Sequence, residues 1–187
     1  YSVFNARDAK VIKILGFNII KIPSHEVTNY ELIDYCLENF NDIIFSAGAC
    51  TESEFKKIAD KINKTKNRVI LMHCVSCYPC PPENANLKRL KLLSEYCPNI
   101  ELGLSDHTGS EVLPAVSAAY GAKAIEKHFT VNRDLPGRDN KFALLPDNFK
   151  AMVENHKDAL KGLIDHGINY QECESDTVMK YRGRWNH

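Results

Sequence analysis

Two stretches place an imidazole just beyond a short apolar run: Gly103-Leu104-Ser105-Asp106-His107-Thr108 and, about twenty residues on, Glu126-Lys127-His128-Phe129-Thr130. Such runs read as buried strands, and in α/β proteins chemistry is done at the carboxyl ends of strands. Two neutral imidazoles so placed could share one divalent ion, with the remaining positions open to water and substrate. Mn, Fe, Co or Zn held in this way acts as a Lewis acid that polarises a carbonyl. The plainer reading is two unconnected, hydrogen-bonded structural histidines.

The other strand ends favour the first reading, because polar residues crowd at each of them. They are Lys21, Ser24, His25 and Glu26; Ser46; His73, Ser76 and Tyr78; Ser105, Asp106 and His107; Lys127, His128 and Thr130. Any one of these alone reads as a solvated loop residue. In a barrel, all the ends converge on one face and surround a single pocket. A lysine with several hydroxyls suits an anionic substrate such as a phosphate ester, since the ammonium supplies charge and the hydroxyls supply directional donors. Glu26 or Asp139 could accept protons or hold hydroxyls of a second substrate. A rival constellation is Cys74-x2-Cys77-x2-Cys80-Pro81, whose spacing resembles iron–sulfur ligation. The usual run wants a fourth cysteine where Asn84 stands.

The elements that must position these groups are legible as periodic segments. Asn5 caps a helix over residues 6–15 that stops at Gly16, and residues 18–22 form a strand. Thr28 and Glu31 form a capping-box pattern for a helix to about Phe40, followed by a strand over 42–46. Thr51 and Glu54 repeat the pattern for a helix to about Lys64, and residues 68–74 are the most strand-like run. After Pro79, Pro81 and Pro82 come a helix near 86–97, a strand near 100–104, a helix near 110–120 closed by Gly121 and a strand at 123–127. Pro146 sits in the first turn of a last helix that runs to about His166. The final twenty residues show no period and read as a tail.

Five strands alternating with six helices predict a parallel sheet of the α/β class. Periodicity leaves open a doubly wound sheet or a (β/α)8 barrel lacking its first strands. The absence of a glycine-rich phosphate loop removes the usual support for the former.

Composition narrows the partners. A chain of 187 residues that is 44% hydrophobic and 26% charged can bury one substantial core. Its formal net charge is zero, with Lys and Arg scattered among Glu and Asp, so neither nucleic acid nor an anionic membrane has a matching footprint. A small-molecule partner is the expectation. There is no transmembrane run and no signal-peptide pattern at the start, and seven cysteines suit free thiols in a reducing compartment. The expectation is therefore a cytoplasmic protein, and a chain without a starting Met suggests a fragment.

Taken together, the motifs make the chain similar to the catalytic barrel of the sialic acid synthase family from about Phe4 to Leu145. The landmarks are Lys21-Ile22-Pro23-Ser24-His25-Glu26, Phe45-Ser46-Ala47-Gly48, His73-Cys74-Val75-Ser76-Cys77-Tyr78-Pro79, the two histidine stretches, and Leu135-Pro136-Gly137-Arg138-Asp139. The resemblance implies a TIM-type (β/α)8 barrel, incomplete at its N-terminus, over residues 1–169, with 170–187 as tail or linker. It implies condensation of phosphoenolpyruvate with an N-acetylated amino-hexose to a nonulosonic acid with phosphate release, a transferase reaction forming a C–C bond. The alternative is a non-catalytic barrel remnant that binds sugar or phosphoenolpyruvate.

By the same resemblance His107 and His128 ligate Mn2+ or another divalent metal. Lys21, Ser24, Ser76 and Ser105 hold phosphoenolpyruvate, Glu26, Tyr78 and Asp139 contact the sugar, and the protein is a homodimer. Ala47 and Pro23 depart from the family pattern, which has Thr and Ala there. The family's first two strands and its antifreeze-like C-terminal domain have no counterpart in this sequence.

Overall fold

The computed structural model describes residues 1–185; the last two residues of the expected tail, Asn186 and His187, lie outside them. Five strands, β1 (Ile19–Ile22), β2 (Asp42–Ala47), β3 (Arg68–Cys74), β4 (Glu101–Asp106) and β5 (Ala122–Lys127), form one sheet in sequential order. All neighbours are parallel. Before, between and after the strands run α1 (Ala6–Ile14), α2 (Tyr30–Asn39), α3 (Glu52–Ile62), α4 (Arg89–Tyr96), α5 (Leu113–Ala118), α6 (Pro146–Gly162) and the short α7 (Ser175–Lys180).

Strand order decides between the two architectures. Parallel crossovers are right-handed, so a sheet that never reverses its order keeps every helix on one face, whereas a doubly wound sheet needs a switch point. This sheet is singly wound, as a barrel wall is. It is also curled. Four inter-strand steps of about 4.8 Å would put the edges of a flat sheet roughly 19 Å apart. Yet Lys21 Nζ on β1 reaches Glu126 Oε1 on β5 at 2.6 Å. The arc comprises five strands plus a bridge from the N-terminal residues: Ser2 pairs in parallel with Lys21, and Lys21 N–H donates to Tyr1 O at 2.8 Å.

The helix face carries the core. Ile20 and Ile22, Ile43 and Phe45, Val69 and Leu71, and Leu102 and Leu104 pack under α2, α3 and α4 through Leu32, Ile33, Phe55, Ile58, Leu90 and Leu93. Period-two alternation sends the intervening residues to the concave face, where Ile44 and Ile70 stay half-buried.

Local signals explain most boundaries, and their failures are instructive. Asn5 caps α1, its side chain accepting from Asp8 N–H, and Thr51 with Glu54 forms a complete capping box for α3. The expected box at Thr28 is not used: Asn29 is the cap of α2, accepting from Leu32 N–H. Asn86 at φ +45° delays α4 to Arg89, and Ser110 Oγ accepts from the amides of Val112 and Leu113, holding back α5. The last long helix ends at Gly162, short of His166. The final segment contains a 3-10 turn, Glu172–Glu174, capped by the reciprocal pair Gln171 and Glu174, and then α7, both too short to show a period in sequence. No helix among the described residues is long and apolar enough to cross a membrane.

Candidate active site

The carboxyl ends of the strands open onto a cleft of about 660 Å3. Five of the expected site residues line it: Lys21, Tyr78, His107, His128 and Asp139. Strand alternation does the sorting. On β4 and its exit, Ser105 and His107 follow the concave face while Asp106 turns to the helix side. On β5 and its exit, Glu126 and His128 face the cleft, while Lys127 borders it but sends its ammonium to the helix side.

His107 is 6% exposed, and its ring centroid lies 5.3 Å from that of His128 and 4.3 Å from that of Tyr78. Its Nδ1 is 3.2 Å from Val75 O. A carbonyl only accepts, so the proton sits on Nδ1 and the Nε2 lone pair is left free for an electrophile. Burial, aided by the neighbouring His128, holds the His107 pKa below the usual imidazole value, which keeps the ring neutral. His128 Nδ1 lies 3.7 Å from Asp139 Oδ2. Two neutral-capable imidazoles facing each other at a rim fit a shared divalent ion in donor chemistry. The described residues supply no cluster of three or more protein donors, so water or substrate must complete any such shell.

Around the imidazoles runs a charge chain. Glu126 Oε1 accepts from Lys21 Nζ at 2.6 Å and from Ser105 Oγ at 2.8 Å. Burial pushes the Glu126 carboxyl up, but the hydrogen bond and charge of Lys21, with Ser105, more than offset this and hold it below the ordinary carboxylate value. Glu126 therefore stands ionised in the cleft, although the reading of the sequence gave it no role. Its position two residues before His128, on the same strand face, was the available signal.

A third feature is a cradle of hydroxyls at Gly48. Its N–H donates to Ser24 Oγ at 3.1 Å. A Cβ there would lie 2.8 Å from Cys74 O and 2.9 Å from the Oγ atoms of both Ser24 and Ser76. Only glycine admits so close an approach, and with its amide holding Ser24 Oγ it leaves the two serine hydroxyls around one point, where both can donate to an anion.

Other expected groups go elsewhere. Glu26 Oε2 accepts from Asn29 Nδ2 at 2.8 Å, which ties it to the start of α2; His25 takes the place on the cleft wall, stacked on Phe4 at 5.1 Å. His73 follows Val69 and Leu71 onto the helix side, is fully buried, and bonds Ala85 O at 2.8 Å, so it is structural. Asp106 and Lys127 form an ion pair whose side chains are 3% and 2% exposed; Lys127 Nζ also donates to Thr108 O and Ser110 O. That pair pins the loop after β4. The cysteine constellation forms no ligand cluster: Cys74 and Cys80 are buried and Cys77 is exposed, with Cys74 Sγ lying 3.7 Å from His107 Nδ1.

A singly wound parallel sheet, curled until side chains of its first and fifth strands meet and carrying polar groups on the carboxyl rim, defines an α/β protein whose sheet is similar to a barrel wall with a polar cleft at its rim. Residues 1–166 match the NeuB family, and the chain belongs to it. It is 32% identical over 161 residues to N,N'-diacetyllegionaminic acid synthase of Legionella pneumophila, a match covering 83% of this chain and 45% of that protein. It is 34% identical over 155 residues to the spore coat polysaccharide biosynthesis protein SpsE of Bacillus subtilis, covering 82% and 42%. The crystal structure of N-acetylneuraminic acid (sialic acid) synthetase from Leptospira borgpetersenii superposes with a TM-score of 0.87 at 30% identity. It covers all of this chain and 65% of that one. The chain thus spans about half the length of the curated relatives it matches.

Proposed function

We propose that the chain is the barrel portion of a synthase that condenses phosphoenolpyruvate with an N-acetylated amino-hexose, assisted by a divalent metal such as Mn2+, and releases inorganic phosphate. The observation that carries this reading is the pairing of His107 with His128 across the cleft, beside both the Lys21–Glu126–Ser105 chain and the serine cradle at Gly48. The family membership and the synthases among the relatives support it.

In this reading the hydroxyls of Ser24 and Ser76 receive one anionic end of phosphoenolpyruvate, with Gly48 N–H holding Ser24 Oγ in place; Lys21 receives the other end, joined by Ser105 once its hydroxyl leaves Glu126. Glu126 occupies one of the three ammonium donors of Lys21, leaving two for substrate. Tyr78 and Asp139 meet the sugar from the rim; Glu26 reaches it only by leaving Asn29. A metal held by His107 and His128 supplies Lewis-acid polarisation of the acceptor carbonyl. C3 of phosphoenolpyruvate adds to the open-chain aldehyde, water adds at C2, and phosphate departs with its bridging oxygen by C–O cleavage. The ionised Glu126 is the group positioned to manage the associated protons. A homodimer in the cytoplasm completes the proposal.

The test is phosphate release from phosphoenolpyruvate across a panel of N-acetylated aldoses, with Mn2+ and with EDTA. Release that requires both aldose and metal is the expected outcome. Release indifferent to either would refute the assignment. Binding of phosphoenolpyruvate without release would favour the second reading, a non-catalytic barrel portion, for which the half-exposed Ile44 and Ile70 on the concave face speak.

A further inference from the structure

A second cavity, of about 360 Å3, lies between α3 and α4 on the helix side of the sheet, and none of its lining residues lines the cleft. Its walls are apolar: Ala47 at the floor, Leu92 and Leu93 from α4, and Phe55 set edge-on to Tyr96 at 5.6 Å. Into these walls α4 inserts one cation, the half-buried Arg89. Among the described residues its guanidinium makes one hydrogen bond, a long one from Nη1 to Cys74 O at 3.4 Å, and no carboxylate lies within ion-pair distance of it.

The one acid on the cavity wall, Glu52, is committed elsewhere. It pairs with Lys56 at 2.7 Å and accepts from Tyr96 Oη at 2.6 Å. Cys50 and Thr51 complete the lining; burial pushes the Cys50 thiol up while the Arg89 charge pulls the other way, which places the guanidinium's field inside the cavity.

A planar cation with five donors, set into an apolar pocket without a counter-ion, is half of a recognition site. Guanidinium groups in such positions take carboxylates in a bidentate fork. The cavity falls in the size range that accepts a small ligand, and its aromatic edge pair suits a flat or branched apolar body. We infer that this cavity is a binding site for a small carboxylate with an apolar or aromatic body, its carboxylate on Arg89 and its body between Phe55, Leu92 and Tyr96. The site does not depend on the proposed catalysis.

It is placed to be felt there. Cys74 O, the acceptor of Arg89, is the atom that a Cβ at Gly48 would strike first, and the Cys74 thiol neighbours His107. A ligand that draws the guanidinium away from that carbonyl changes a contact on the far side of the serine cradle.

Phenylacetate is a suitable probe and phenethyl alcohol its neutral counterpart, both titrated into the 15N-labelled chain. Phenylacetate should shift the amides of Cys50, Glu52, Arg89 and Tyr96, with the alcohol binding roughly tenfold to hundredfold more weakly, as the loss of a charge-assisted hydrogen bond predicts. Arg89→Met should abolish the difference between the two probes while its spectrum stays dispersed. The proposal is overturned if phenylacetate leaves those amides unmoved, if acid and alcohol bind alike, or if Arg89→Met retains the preference. Comparing acid with alcohol on the unmodified chain tests the site even where the variant fails to fold. Because the readout is binding at α3 and α4, its failure says nothing about phosphate release, and the converse also holds.

Discussion

Lys127→Met should be among the most damaging single changes to this chain's stability, although the residue borders the cleft and carries no proposed chemistry. The ammonium it removes is almost solvent-free and donates to Asp106 Oδ2, Thr108 O and Ser110 O. Methionine fills the volume, so the cost is electrostatic: a carboxylate left buried without its cation, worth about 3–5 kcal/mol. The amide and hydroxyl of Thr108 still donate to Asp106, which favours the lower half of that range. Each kcal/mol lowers the melting temperature of a chain of this size by about 2–4 °C, so a drop of roughly 6–16 °C is expected. Urea unfolding of the wild type, Lys127→Met, Asp106→Asn and the double variant closes a thermodynamic cycle. Removing the stranded charge should make the double variant less destabilised than the sum of the singles by about 1–3 kcal/mol. A single variant within about 1 kcal/mol of wild type, or strictly additive losses, would refute the reasoning.

Gly48→Ala brings a methyl within 2.8 Å of a backbone oxygen that cannot rotate away; a loss of about 1–3 kcal/mol in unfolding free energy is expected, together with weakened phosphoenolpyruvate binding in calorimetry. Lys21→Met should destabilise in a pH-dependent way. Glu126 is held below the ordinary carboxylate value, so its contribution is present above that value and is lost as pH falls through the folded-state value. The melting-temperature gap between wild type and variant should therefore be widest near neutrality and close in acid; a gap independent of pH would contradict the assignment. Replacing both His107 and His128 with alanine should remove Mn2+ binding measured by electron paramagnetic resonance, and unchanged affinity would sink the metal site.

Much of the architecture was legible because strands here are short apolar runs and helices carry local stops: β3 and the Thr51–Glu54 box fall where the residues place them. Helix starts were read less well where two cap residues stand side by side, as at Thr28 and Asn29, since which side chain reaches the amide is decided by backbone angle. The site was legible as a set of strand ends but not as a set of directions. Alternation is visible in sequence, but which face the helices cover is not, so His73, Asp106 and Lys127 were grouped with the cleft residues when they point to the helix side. Glu126 was passed over for the complementary reason, since its partner Lys21 lies 105 residues away and no local pattern joins them.

That separation also bears on how the molecule comes into being. Neighbouring strands pair across one helix each, Ile19 with Asp42 and Asp42 with Arg68, so the sheet can grow stepwise as chain is added. Contacts of that kind close short loops and form early. Among the described residues the bridge from Lys21 to Glu126 closes the longest loop of any side-chain hydrogen bond, and it cannot form until β5 has docked and the arc has bent. The cleft rim is thus a late-maturing part of the molecule. A folding intermediate holding the first four strands would have a nearly complete core and still lack Glu126 and His128 in place.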